Sequence, residues 1–249
     1  MVYGLKTQQY DFQYIESEVA QSVLWENHCH AQFEMIAVVD GDINILLEGK
    51  GYRLKENQGI IIPPLFYHSV TANGKGTYRR VTVTFEINAI PEVLRSEFAS
   101  REASVAVLPS AQMEELRTLC QRSDPNFYAP LAQSLMVQMF YRMQEEAKTP
   151  AEAWADEFLQ KSIVYIEEHL HEKIRLDDLA AYTSRSKSSF CHLFEAKMKI
   201  SPKQYILQKK LALASKLIDE GMPHTVAAMQ VGYENYSNFY RLYRKRLRQ

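Results

Sequence analysis

"LDDLAAYTSRSKSSFCHLF", residues 176–194, decides the helical part of the fold. Leu176, Leu179 and Ala180 fall three and four apart, which gives a short helix one apolar face. "TSRS" interrupts it. Ser186 then stands where an N-cap is needed, and Phe190, Leu193 and Phe194 supply the inner face of a second helix. Two short helices joined by a tight turn make a helix-turn-helix, whose second helix enters the major groove of duplex DNA. The plan repeats in "HTVAAMQVGYENYSNFYRLYRKRL", residues 224–247. Here the pattern predicts a helix over 224–230, a turn at Gly232 and a helix capped by Asn235, with Phe239, Leu242 and Tyr243 facing inward. Between the units, Ser201, Pro202 and Gln204 start a helix that ends near Glu220, where Gly221 takes the left-handed conformation. One such unit is a weak signal; two about 49 residues apart, joined by a capped helix, are far more specific.

The charge pattern agrees. The 249 residues carry a net charge of −1, but residues 160–249 hold 16 Lys+Arg against 9 Asp+Glu, and the remainder 13 against 21. A basic last third behind an acidic front implies two domains with different partners. The chain has no run of eighteen apolar residues, so no membrane span is expected. Its start lacks the basic patch and apolar run of a signal peptide. Cys29, Cys120 and Cys191 form no CxxC pair, which suits a reducing cytoplasm.

Residues 23–86 read as short strands. "FEMIAVV", "INILLE", "GIIIPP" and "YRRVTVTFE" are rich in β-branched and aromatic residues, with turn signals at Asp40-Gly41, at 48–51 and at Asn73-Gly74. This predicts an antiparallel barrel or sandwich. The texture turns helical near residue 110, with Ser110 as an N-cap. Ala132, Leu135, Met136, Met139, Phe140 and Met143 then form one apolar stripe, which either packs on the β domain or pairs two subunits. Thr149, Pro150 and Glu152 match a capping box, predicting a helix from there to about His171.

His28 and His30 sit at alternate positions, with Glu34 four residues further on and His68 after the Pro63-Pro64 turn. Alternate positions share one face of a strand, so both imidazoles would point into the barrel. Imidazole and carboxylate together suit Zn, Ni, Fe or Mn. Three uses compete: hydrogen bonding to a small polar effector, a sensing or structural metal, and a catalytic metal. Trp25 either closes one side of this pocket or packs in the core. Cys29, one residue out of phase, should face away.

On "LDDLAAYTSRSKSSFCHLFEAKM", "SPKQYILQKKLALASKLI" and "VAAMQVGYENYSNFYRLYRK", the last 90 or so residues resemble the AraC/XylS family of bacterial transcription regulators. The histidines and Glu34 are similar to the cupin metal pattern. The departures are Ser184 where the family usually has glycine, Arg175 at a usual Ser/Thr cap, and Ala227 for a common isoleucine. The resemblance implies an α+β two-domain chain. Residues 1–148 would form a cupin-like antiparallel β-barrel followed by dimerisation helices, and residues 149–249 an all-α domain with two helix-turn-helix units. It implies a cytoplasmic, ligand-responsive regulator, commonly an activator, with promoter DNA, a small effector such as a sugar, RNA polymerase and a second subunit as partners. No cofactor is required by that reading, though a divalent metal fits the barrel. The DNA-reading residues it implies are Lys187, Ser188, Cys191 and His192 in the first unit, and Tyr236, Ser237, Asn238 and Arg241 in the second. The competing reading is a metal-dependent cupin enzyme with a helical appendix.

Overall fold

The computed structural model describes residues 2–19, 28–73, 76–99, 104–146 and 152–246. Among the described residues, ten strands build the β part: β1 (Val2–Lys6), β2 (Tyr10–Val19), β3 (Phe33–Asp40), β4 (Asp42–Leu47), β5 (Lys50–Lys55), β6 (Gln58–Ile62), β7 (His68–Ala72), β8 (Gly76–Phe85), β9 (Ser104–Val107) and β10 (Glu152–Ala155). The helices are α1 (Glu92–Ala99), α2 (Ser110–Cys120), α3 (Pro125–Glu146), α4 (Glu157–Glu168), α5 (Leu176–Tyr182), α6 (Lys187–Met198), α7 (Pro202–Asp219), α8 (His224–Gln230) and α9 (Tyr236–Arg246).

The strands form two antiparallel sheets, in the orders β1-β2-β8-β3-β6-β9 and β10-β5-β4-β7. They do not close into the expected barrel. Two facing sheets need only fill the space between them, and aliphatic side chains do so. Strand β3 shows how. Its alternate residues Ile36 and Val38 join Ile43, Ile45, Leu47, Ile60, Ile62 and Val70 between the sheets, while Phe33, Met35 and Ala37 face the helices outside. Glu34 has the inward parity.

The methionine stripe of α3 packs on that outer face. Met136, Met139, Phe140 and Met143 are fully buried beside Phe85, Val83 and Met35, so the stripe belongs to the core of one chain and is no seam between subunits. Ser110 opens α2 as its first residue, and Pro109 occupies the cap position without a side-chain bond.

The capping box at 149–152 is also corrected. Thr149 and Pro150 lie outside the described residues, and Glu152 begins strand β10, paired with Arg53 on β5. The helix starts only at Glu157, capped by Asp156, whose carboxylate accepts from the Leu159 N–H at 3.0 Å. A local signal lost here to ladder pairing with a strand about 100 residues earlier.

The two helix-turn-helix units stand as the sequence predicts. Ser186 caps α6 and Ser201 caps α7. The Asn238 N–H donates to Asn235 Oδ1 at 3.0 Å, which caps α9. Gly221 has φ +95° at the end of α7, and Gly232 has φ +73° in the second turn. In the first turn Ser184 takes φ +56°, the conformation a glycine would adopt freely. Arg175 precedes α5 with no side-chain cap bond.

The cores of the two units differ. Phe190, Phe194, Leu179 and Met198 of the first pack with Leu159, Ile163 and Tyr205, and also with Cys29 and Tyr67 of the β half. The second unit buries Leu211, Ala214, Ala228, Val231, Phe239 and Tyr243 in a cluster of its own.

Candidate functional site

His28, His30, Glu34 and His68 converge: one ligand-type atom from each lies within 4.8 Å of all the others. The route differs from the expected one. His28 and His30 precede β3 rather than sharing a strand face, and His28 is held by a two-way backbone bridge to His68, with N···O distances of 3.1 and 2.9 Å. Glu34 enters from β3 and His68 from the start of β7. Glu34 and His68 form a buried floor, His30 is half-buried and His28 is exposed, so the cluster opens to solvent on one side. Cys29 faces the opposite way, into the helical core. Trp25 lies outside the described residues.

The ring nitrogens are sorted by their backbone. His30 Nδ1 lies 2.9 Å from the Gln32 carbonyl and His68 Nδ1 lies 3.0 Å from the Phe66 carbonyl. A carbonyl accepts only, so each Nδ1 carries the proton that it donates. Both Nε2 atoms turn to Glu34 Oε2, at 3.3 Å from His30 and 2.8 Å from His68. The His68 contact is an ion pair, and among the described residues this buried Nε2 has no other partner. Burial alone would raise the Glu34 carboxyl, but His68 and His30 hold it well below the usual range. Burial would lower His68, and Glu34 reverses this and raises it. Imidazoles anchored through Nδ1 to carbonyls, with Nε2 turned to a shared point, have the arrangement in which histidine binds a metal. The same atoms also suit the hydroxyls of a polar molecule.

Sequence reading missed a second buried polar cluster, which joins the halves. Glu48, in the β4–β5 turn, accepts from the Tyr67 N–H at 2.7 Å, from the Tyr205 hydroxyl and from the Lys209 ammonium. Lys209 of α7 is 1 % exposed. It also donates to the Leu65 carbonyl at 2.7 Å and to Glu167 Oε1 at 3.1 Å. Burial would lower its pKa, but Glu48 and Glu167 together raise it. Burial and the Glu48 charge push the Tyr205 hydroxyl well above its ordinary range. Both ends touch the histidine cluster. Tyr67 precedes His68, and the Leu65 N–H donates to the His30 carbonyl at 2.8 Å. Gly49 (φ +73°) lets the turn approach α4, because a Cβ there would come within 2.7 Å of Leu159 Cβ. The only sequence signal was "EGKG" as a turn; nothing marked its glutamate as buried.

On the helical side, Lys187, Ser188 and His192 are exposed on α6, and Cys191 is half-buried. Lys187 Nζ is tied to Asp177 at 3.0 Å. On α9, Tyr236, Ser237, Asn238 and Arg241 are all exposed. The Arg241 guanidinium donates to Asn238 Oδ1 at 3.0 Å, and Tyr236 stacks on Tyr240 with ring centroids 5.7 Å apart. Each unit therefore presents a polar helix face at the start of its second helix.

Residues 179–249 match the family model of a helix-turn-helix domain, and residues 9–162 match that of the AraC-like ligand binding domain. The chain is 38% identical over 82 residues to the probable transcriptional regulator LumQ of Photobacterium leiognathi, a match that spans 32% of this chain and 33% of that one. It is 23% identical over 223 residues to the uncharacterised HTH-type transcriptional regulator YobQ of Bacillus subtilis (strain 168), covering 89% and 85% of the two chains. Among solved structures it is similar to ToxT from Vibrio cholerae, with a TM-score of 0.47 at 9% identity over 95% of this chain and 94% of that one.

Proposed function

The chain belongs to the AraC family of transcription regulators, and from that premise we propose how its two halves divide the work. It is a DNA-binding regulator with a ligand-binding β half, and not an enzyme. In our reading residues 1–148 sense and residues 149–249 bind DNA, with β10 strapping the second part to the first. A small polar effector such as a sugar binds beside His28, His30, Glu34 and His68. Lys187, Ser188, Cys191 and His192 lie against one major groove. Tyr236, Ser237, Asn238 and Arg241 lie against the next, and Arg241 is the side chain most suited to a guanine edge. The regulator acts in the cytoplasm as an activator that contacts RNA polymerase. Two copies pair through the exposed outer side of α3, which carries Phe127, Leu131 and Tyr141.

One observation carries this reading: the Glu48–Lys209 contact lies between the histidine cluster and α7, the helix that joins the two DNA-binding units. A ligand changes transcription only by favouring one arrangement of the halves over another. An effector that moves the 65–68 segment acts directly on that contact. The anchored Nδ1 atoms favour a second form of the reading, in which a divalent Zn, Ni, Fe or Mn ion held by the same four residues assists sensing. Bound there, it would supply a Lewis-acid contact for an effector oxygen.

The test is a reporter strain carrying a duplex selected from a random library by the full chain, grown on a panel of sugars. A His30→Ala/Glu34→Ala variant should lose induction while keeping its affinity for that duplex within roughly twofold, as separate sites allow. Normal induction by the variant would remove the cluster from sensing. Elemental analysis of untagged protein separates the two forms: about one metal per chain supports the metal, and none supports direct hydrogen bonding.

A further inference from the structure

A cavity of about 650 Å³ lies between the two halves, apart from the space between the sheets. Phe33, Phe66 and Phe98 line it from the β half, and Leu170 and Leu213 from the helices. Its size and position suit a small-molecule site, since such sites favour domain interfaces and apolar walls.

The charges around it are unequal. Lys209 is consumed by Glu48 and Glu167, and Lys216 lies 3.9 Å from Glu220. His171 Nδ1 is engaged by the Gln230 carbonyl at 2.8 Å. Two carboxylates are left: Glu86 from the β half and Asp219 from the end of α7. Neither has a salt-bridge partner among the described residues, and both are exposed at the cavity's edge. Both line the same cavity, and partial burial and the Asp219 charge raise the Glu86 carboxyl, while a hydrogen bond to Gln32 and the His30 imidazole act the other way.

We propose that this cleft is a second ligand site, which takes an amphipathic organic cation: an apolar aromatic or alkyl body against the phenylalanines and leucines, and a primary ammonium between Glu86 and Asp219. The charge balance selects that occupant. An anion would meet two facing carboxylates, whereas an ammonium relieves their repulsion and offers three donors to them. The two carboxylates come from different halves, so the bound amine draws the halves together. The site goes beyond the sensing role proposed for the histidine cluster and uses none of its residues; because the His30 imidazole acts on Glu86, Asp219→Asn is the variant that separates the two.

Calorimetric titration of the full chain tests this with tryptamine and octylamine as probes, tryptophol as the neutral match and indole-3-acetate as the anionic one. Both amines should bind, tryptophol at least roughly tenfold more weakly, and indole-3-acetate not measurably, as expected for a charge-assisted contact. Glu86→Gln and Asp219→Asn should each weaken tryptamine by roughly tenfold, with unchanged melting temperature to show that folding is intact. No heat from either amine at millimolar concentration, equal affinity in the double variant, or tighter binding of the anion would overturn the proposal.

Discussion

Lys209 and Lys210 are neighbours on α7 and both are buried, yet they hold different parts of the molecule. Successive residues on a helix point about 100° apart. Lys209 therefore reaches back to Glu48, Leu65 and Glu167, whereas Lys210 reaches forward. Its ammonium donates to the Glu172 carbonyl at 2.6 Å and to the Val231 carbonyl at 2.7 Å, in the turn of the second unit. The surroundings differ as well. Lys209 meets two carboxylates, which raise it, while burial among carbonyls pushes Lys210 down to about 8. The first helix-turn-helix is thus built into the ligand-binding half, through shared apolar packing and a buried ion pair. The second closes on its own core and is tied to the rest by α7, by the Lys210 bonds to the Glu172 and Val231 carbonyls, by His171 Nδ1 against the Gln230 carbonyl and by the close approach of Gly232 to Glu172. A signal from the β half should reach the first unit first.

The largest effect should come from breaking the first attachment. Lys209→Met leaves Glu48 buried without its cation, a loss that typically costs about 3–5 kcal/mol. Chemical denaturation should show this as an earlier transition that includes the β half. Adding Glu48→Gln should recover most of the loss, since the amide still accepts from Tyr67 and carries no charge. A cost below about 1 kcal/mol for Lys209→Met would mean that the pair is open to water and couples nothing.

A smaller and more local effect is expected in the second unit. Gly232 has φ +73°, and a Cβ there would lie 2.8 Å from the Glu172 carbonyl carbon. Gly232→Ala should cost more than about 1 kcal/mol, felt where the turn between α8 and α9 packs on Glu172. Footprinting should then lose protection over one half of the bound duplex and keep the other. Equal loss over both halves would show that the units are not separable.

These contrasts explain what was legible in the sequence. The helix-turn-helix units were readable because their caps and apolar spacing are local: Ser186, Asn235 and Gly232 act within a few residues. The histidine cluster was readable as a short motif, though it is assembled by a bridge between His28 and His68 instead of a shared strand face. The Glu48–Lys209 pair was not. Its members are 161 residues apart, and a lysine in a basic third of the chain reads as solvated charge. Strands β1 and β2 were missed, although Tyr10, Phe12 and Tyr14 alternate and are all buried. Period-2 aromatics were the available signal there. The α3 stripe was found correctly, but an apolar stripe does not name its partner, and the sheet of its own chain claimed it.

The first DNA-binding unit shares its stability with the ligand-binding half and the second does not. Native-state hydrogen exchange on the full chain tests it most directly, because amides that open in one cooperative unit share one opening free energy. The amides of α5 and α6 should exchange together with those of β4, β5 and β7, and those of α8 and α9 should open earlier. Lys209→Met should separate α5 and α6 from the strands. Protection of α8 and α9 equal to or greater than that of α5 and α6 would contradict it.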